Sequence, residues 1–175
     1  SSPPMKLPRC RVPKWWWVGA GRRSGMPVAP WKVLESRYAY RDRWLALRSD
    51  TVELPNGRVL APYHVIEQSD WVTVVALTAE GRIVLVEEYR HGAQLVLTEL
   101  PSGIHDKPEE PLAAMKRELL EETGHADGEW RSIGSFLANP PRMNNRVHCF
   151  LALDVRRIAH FAGNLIGPFN PGDRL

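Results

Sequence analysis

A single helical segment, set among stretches that alternate like strands, restricts this chain more than any other feature. The helix is predicted from about Pro111 to Thr123, with proline at its first position and Gly124 just past its end. Its apolar side has the spacing that packs a helix on a sheet, and consists of Leu112, Met115 and Leu119. One helix in a strand-rich chain of 175 residues indicates the α/β class with a single core.

Eight stretches are predicted as strands from their β-branched and aromatic content. They are residues 31–38, 44–54, 58–67, 71–77, 83–89, 94–100, 130–137 and 147–155. The second and third are joined by Pro55-Asn56-Gly57, where Asn-Gly supplies the positive φ values of a tight hairpin. Another hairpin is predicted around residues 79–82. The first three strands form an N-terminal antiparallel β-meander, which needs the core or a second subunit to cover it.

The charge is unevenly distributed along the chain. Residues 1–25 hold six basic residues and no acidic ones, whereas residues 26–175 hold 17 Lys and Arg against 20 Asp and Glu. We expect residues 1–25 to be a disordered basic leader, with a patch for an anionic membrane surface as the alternative. Because the remainder is net negative, the high pI gives no support to nucleic-acid binding.

Membrane and disulfide classes are also disfavoured. No stretch approaches the roughly 18 consecutive apolar residues that cross a bilayer. Only Cys10 and Cys149 occur, so a reducing, cytoplasmic location is expected. The predicted organisation is the leader, a meander subdomain at 26–68, a main domain at 69–155 and an irregular tail at 156–175. The glycines and prolines of that tail exclude a helix of useful length.

Three glutamates lie in the last two turns of the predicted helix. Glu118, Glu121 and Glu122 fall at i, i+3 and i+4, close together and at the end where the helix dipole is negative. One explanation is a solvated acidic face, with Arg117 pairing with Glu121. The other is a hard cation such as Mg²⁺ or Mn²⁺, which clustered carboxylate oxygens select.

The residues around this cluster favour the cation. Gly103 is followed by five residues and Glu109, and then by seven residues and the segment Arg117-Glu118-Leu119-Leu120-Glu121-Glu122-Thr123-Gly124. This spacing resembles the Nudix hydrolase signature, and only His125 departs from it, at a position where an aliphatic residue is usual. The resemblance implies an α/β/α Nudix sandwich with a mixed sheet, a loop-helix-loop box and a bound Mg²⁺ or Mn²⁺.

The resemblance also implies a role for each position of the box. The metal ligands would be Glu118 and Glu122, with Glu121 alongside and the carbonyl of Ser102 as an additional ligand. Arg117 would pair with the carboxylates and complete the catalytic set. Gly103 at a strand-to-helix turn, Glu109 and Gly124 would shape the motif.

Outside the box the chain resembles the ADP-ribose pyrophosphatase branch of the family. The meander, the Tyr89-Arg90 pair, the stretch from Glu99 to Gly103 and Pro141, sixteen residues past His125, carry this likeness. It implies a small nucleotide substrate bound by Trp31, Trp44, Arg90, Glu99 and Pro141. The alternatives are a core or interface position for each tryptophan, and an ion pair of Arg90 with Glu87 or Glu88. Residues 138–146 are expected to close over the substrate, and His148 to belong to a strand.

Two elements of that branch have no counterpart in the sequence. No glutamate follows Glu129 to act as a late catalytic base, and residues 156–175 do not supply the usual C-terminal helix. We therefore expect a truncated or frame-shifted C-terminus. If the C-terminus is genuine, the alternatives are that Glu121 serves as the general base or that activity is absent. The expected function is Mg²⁺-dependent cleavage of ADP-ribose or a similar compound to a nucleoside monophosphate and a sugar phosphate, by a homodimer. The alternatives are a nucleotide-sugar substrate such as GDP-mannose, and a Nudix-fold protein that binds a nucleotide without cleaving it.

Overall fold

The computed structural model describes residues 29–105 and 108–159, so the predictions for residues 1–25 and for most of 156–175 lie outside it. The predicted mixed α/β architecture is confirmed. In these ranges a three-stranded antiparallel sheet is followed by a five-stranded mixed sheet, a two-stranded hairpin and one helix. None of the helices in these described ranges is long and apolar enough to cross a membrane.

The N-terminal meander forms as predicted. Its strands are β1 (Lys32–Arg41), β2 (Ala46–Glu53) and β3 (Val59–Glu67). Gly57 has a φ of 80° in the β2–β3 turn and donates its N–H to the Leu54 carbonyl at 2.8 Å. All ten residues of β1 are exposed, so this edge strand has no covering layer within the described chain.

The main sheet joins strands that are distant in sequence. It consists of β4 (Asp70–Thr78), β7 (Ser102–His105), β8 (His125–Ala126), β9 (Glu129–Leu137) and β10 (Arg146–Arg157). The order is β7-β4-β10-β8, with β9 alongside β10, and only β4 and β10 run parallel. Because β10 continues through Arg157, the predicted irregular tail begins too early by two residues.

The segment from residue 83 to 89 divides between two partners. Near the turn it pairs with β4 as predicted, since the Val84 N–H donates to the Ala76 carbonyl at 2.9 Å. It then leaves the main sheet as β5 (Val86–Arg90) and pairs with β6 (Leu95–Glu99) in a separate hairpin. The chain returns to the main sheet in β7, which contains Gly103. The placement of Gly103 at a strand-to-helix turn was therefore wrong.

The helix α1 (Pro111–Thr123) has the predicted bounds and packs its apolar side on the sheet. Met115 and Leu119 are fully buried against Val72 and Val74 of β4, and Leu112 packs at the edge of this core. Gly124 ends the helix at a φ of 70°, and its N–H donates to the Leu120 carbonyl at 2.9 Å. This packing leaves the glutamate side of α1 facing β7 and the β5–β6 hairpin.

Candidate active site

A cleft of about 1210 Å³ opens where α1, β7, the β5–β6 hairpin and the meander meet. Helix α1 contributes Arg117, Glu118 and Glu122, and the hairpin contributes Glu88, Arg90 and Glu99. Ser102, Gly103 and Ile104 of β7 form the floor, and the meander contributes Arg43 and Trp44. The structure therefore brings together most of the site residues that the sequence predicted.

Arg117 ties the loop before α1 to the helix. Its guanidinium donates to Glu109 at 2.9 Å, to Glu118 at 2.7 Å and to Glu121 at 2.9 Å. The hydrogen bonds that Arg117 donates to Glu109 and Glu118 raise the pKa of Arg117 further above its ordinary value. Arg117 consequently fixes the Glu118 carboxylate, whereas the Glu121 side chain stays exposed and does not line the cleft.

Glu122 lies deeper in the cleft than the other acids of the helix. Its carboxylate accepts the Ser102 N–H at 3.2 Å. Burial raises the pKa of Glu122 to about 7, and the charges of Glu118 and Glu88 raise it too, against the opposing effects of the Ser102 N–H and Arg90. The cleft therefore holds negative charge that its own cations leave only partly compensated.

This charge fits a hard divalent cation. Arg117 uses one oxygen of Glu118 and Ser102 uses one oxygen of Glu122, so Glu118 Oε2 and Glu122 Oε1 have no hydrogen bond to the described residues. Gly103 leaves the space that the Glu118 carboxylate occupies, since a Cβ at this position would overlap it. As the side chains stand, no three His, Cys, Asp or Glu residues in the described ranges converge as a complete ligand set. Glu118 and Glu122 are the pair that could hold such an ion.

Arg90 is held by two carboxylates on the cleft wall. It donates to Glu99 at 2.9 and 2.6 Å and lies 3.0 Å from Glu88. The ion pair with Glu88, one of the two alternatives for Arg90, therefore forms, and Glu99 contacts the arginine from the neighbouring strand. The sequence reasoning did not name Glu88 as a site residue. Strand alternation could have identified it, because residues 88 and 90 share one face of β5.

Trp31 and Pro141 lie together, away from the cleft. The Trp31 ring packs edge-on against Tyr63 at 5.6 Å between centroids, and the Tyr63 hydroxyl donates to the Pro141 carbonyl at 2.7 Å. Met143 pairs with Ile66 of β3, so the loop at 138–146 rests on the meander. Of the two predicted stacking tryptophans, Trp44 lines the cleft of its own chain and Trp31 does not.

The two histidines named in the sequence analysis, His125 and His148, have structural positions. His125 is 4% exposed, and its Nδ1 lies 3.1 Å from both the carbonyl and the hydroxyl oxygen of Thr123. Burial lowers the pKa of His125, which keeps the ring neutral and explains how it replaces an aliphatic residue. His148 lies within β10, as predicted.

Comparison with known proteins gives two family matches. Residues 31–66 match the nucleoside diphosphate sugar hydrolase N-terminal domain, and residues 69–164 match the NUDIX domain. The chain is 31% identical over 132 residues to the methanol dehydrogenase activator of Bacillus methanolicus, covering 75% of this chain and 71% of that protein. It is 32% identical over 121 residues to the ADP-ribose pyrophosphatase of Bacillus subtilis, covering 69% and 65%. The chain thus spans about two thirds of the length of these relatives.

The fold resembles a solved structure described as an ADP compounds hydrolase. The TM-score is 0.68 at 19% sequence identity, and the likeness covers 81% of this chain and 78% of the other. The meander and the main sheet therefore occur together in a known fold.

Proposed function

This chain belongs to the Nudix hydrolase family, and on that premise we propose that it cleaves the pyrophosphate bond of ADP-ribose or a related nucleoside-diphosphate sugar. The products would be a nucleoside monophosphate and a sugar phosphate. The observation that carries the proposal is the shared cleft, in which two carboxylates of α1 face an arginine and a tryptophan of other elements. A diphosphate needs charge neutralisation and a nucleobase needs an aromatic surface, and one cleft offers both.

The residues of the cleft would have different roles in binding and catalysis. Glu118 and Glu122, with the carbonyl of Ser102, would hold Mg²⁺ or Mn²⁺, which when bound neutralises phosphate charge and activates water. Arg117 keeps Glu118 in place, and Glu109 anchors Arg117. Trp44 would stack the nucleobase of the substrate. The assignment of the general base to Glu121 stays a prediction, since this side chain lies outside the cleft.

The test is chromatographic detection of AMP after incubation of the purified protein with ADP-ribose, in Mg²⁺ and in chelator. We expect AMP and ribose 5-phosphate in Mg²⁺ only, because the two box carboxylates need a cation to engage a diphosphate. GDP-mannose in a parallel reaction tests the alternative sugar. A folded protein that binds ADP but cleaves neither compound would replace the proposal with a non-catalytic nucleotide-binding protein.

We also propose a homodimer formed through the meander. Every residue of β1 is exposed, and Val33, Leu34, Tyr38 and Tyr40 give this edge strand an apolar character that a second copy would cover. Such a dimer would also give Trp31 a partner surface. Light scattering after size-exclusion chromatography should give twice the chain mass at micromolar concentration, and a monomer there would contradict the proposal.

We also propose a cytoplasmic location, because the chain has few cysteines, as is typical of proteins in a reducing compartment.

A further inference from the structure

Three arginines line the cleft, and two of them are already paired with carboxylates. Arg90 is bound through Nε, Nη1 and Nη2 to Glu99 and Glu88. Arg117 is bound through the same three nitrogens to Glu109, Glu118 and Glu121. A phosphate that approached either arginine would compete with an existing charge-assisted pair.

Arg43 differs from both. Among the described residues, no carboxylate lies within 4.0 Å of its guanidinium. The guanidinium carbon instead lies 4.3 Å from the centroid of the Trp44 ring, a cation–π contact, and no group in the described ranges accepts a hydrogen bond from its N–H donors.

Asp42 precedes Arg43 in the sequence but does not neutralise it, because the Asp42 carboxylate accepts hydrogen bonds within the turn. Asp42 accepts the N–H groups of Trp44 and Leu45 at 2.7 and 2.9 Å, and the hydroxyl of Tyr40 at 2.8 Å. These three hydrogen bonds hold the carboxylate against the backbone of the turn. Asp42 therefore fixes the position of Arg43 and Trp44 without forming a pair with the guanidinium.

The surroundings of Arg43 suit a nucleotide. Ala46 pairs with Glu67, so the turn that carries Arg43 lies beside Gln68 and Ser69, and Trp71 follows on β4. This wall of the cleft has aromatic and polar groups and no acid, whereas the lining from α1 and the hairpin carries four glutamates. Those glutamates repel an incoming polyanion. Arg43 attracts it, because its guanidinium, unlike those of Arg90 and Arg117, is not paired with a carboxylate of the described residues.

We propose that Arg43 is the anion-binding residue of the cleft and contacts a phosphate of the nucleoside diphosphate whose base lies against Trp44. This inference rests on the proposed function, since it takes the ligand to be a nucleotide. It differs from the expectation that Arg90 binds the substrate, because Nε, Nη1 and Nη2 of Arg90 already contact Glu88 and Glu99.

The test compares Arg43→Gln with Arg41→Gln. Arg41 is a matched control, because its guanidinium stacks 4.8 Å from the Tyr38 ring and does not line the cleft. In calorimetric titration with ADP in Mg²⁺ buffer, Arg43→Gln should weaken binding about tenfold, as expected for the loss of one charged hydrogen-bond contact. Arg41→Gln should bind like the wild type, and Arg43→Lys should recover part of the affinity.

The kinetic readout separates binding from chemistry. With ADP-ribose, Arg43→Gln should raise KM about tenfold and leave kcat nearly unchanged, since the contact exists in both ground and transition states. Equal ADP affinity in Arg43→Gln and the wild type would overturn the inference, and so would a loss of affinity in Arg41→Gln as large as that in Arg43→Gln. Neither result would contradict the proposed hydrolase function. If the wild type cleaves no nucleotide sugar, the function fails and the ADP titration still decides the role of Arg43. A wild type that neither binds ADP nor cleaves a nucleotide sugar would overturn both.

Discussion

Glu122→Gln is expected to lower turnover of ADP-ribose by about 10³-fold and, at the same time, to stabilise the protein in chelator. The metal contributes several kcal/mol to such reactions, and a neutral amide is a poor ligand for it. The substitution keeps the volume of the side chain and an oxygen that can accept the Ser102 N–H. Steady-state rates and urea unfolding of the same preparation measure both effects.

The direction of the stability change follows from the pKa of Glu122. Its folded value of about 7 lies above the unfolded value of about 4.3. Between these values the folded protein keeps a proton that the unfolded chain releases, so the free energy of unfolding falls as the pH rises. Above pH 7 the destabilisation of the folded protein by the Glu122 charge is fully present. Glu122→Gln removes this destabilisation, which a shift of this size would set at about 3–4 kcal/mol for a fully buried group. Because Glu122 is only partly buried and solvent screens its charge, the gain should be on the order of 2 kcal/mol at pH 8 and near zero at pH 4.

Glu129→Gln provides the matched control. Glu129 is an exposed glutamate that pairs with Arg131 at 2.7 Å and does not line the cleft. An exposed pair of this kind contributes little, so both turnover and stability should stay within error of the wild type. Wild-type turnover in Glu122→Gln would show that Glu122 is not a metal ligand. A loss of stability at pH 8 would show that the cleft does not hold the uncompensated charge described above.

The features that the sequence predicted best are those specified by local signals. The bounds of α1 were predicted to the residue, because Pro111 and Gly124 act on the backbone next to them. The pairing of Arg117 with Glu121 follows from helical spacing alone. The pairing of Arg117 with Glu109 was expected only from the complete motif, and the depth of Glu122 in the cleft was not predicted, since both depend on how the preceding loop folds back.

The features that were missed depend on pairing between distant segments. Strand β7 has four residues and contains Gly103, so it has little strand propensity, and its pairing with β4 stabilises it. The segment at 83–89 reads as one strand because its change of partner leaves no local signal. Arg43 and Glu88 enter the cleft only because the β1–β2 turn and the hairpin line the same cleft as α1. No spacing in the sequence places them there.

Gly124→Ala is expected to destabilise the fold by about 2–5 kcal/mol. Alanine at a φ of 70° costs about 1–2 kcal/mol. Its Cβ would also overlap the carbonyl oxygen of Ala159, a backbone atom just past the end of β10, and relieving such an overlap costs about 1–3 kcal/mol more. That segment is held to the helix end, since the N–H groups of Ile158 and Ala159 both donate to the Gly124 carbonyl, at 2.9 and 3.2 Å. Urea unfolding followed by circular dichroism measures the change.

Gly57→Ala separates the two contributions to this effect. Gly57 has a φ of 80° in the β2–β3 turn, and a Cβ there would meet no atom within 4 Å. Its substitution should therefore cost only the conformational part, about 1–2 kcal/mol. Equal losses in Gly57→Ala and Gly124→Ala would mean that the contact between the helix end and β10 contributes nothing. A larger loss in Gly124→Ala would show that this junction fixes the end of the helix, and with it the positions of Glu118 and Glu122 in the cleft.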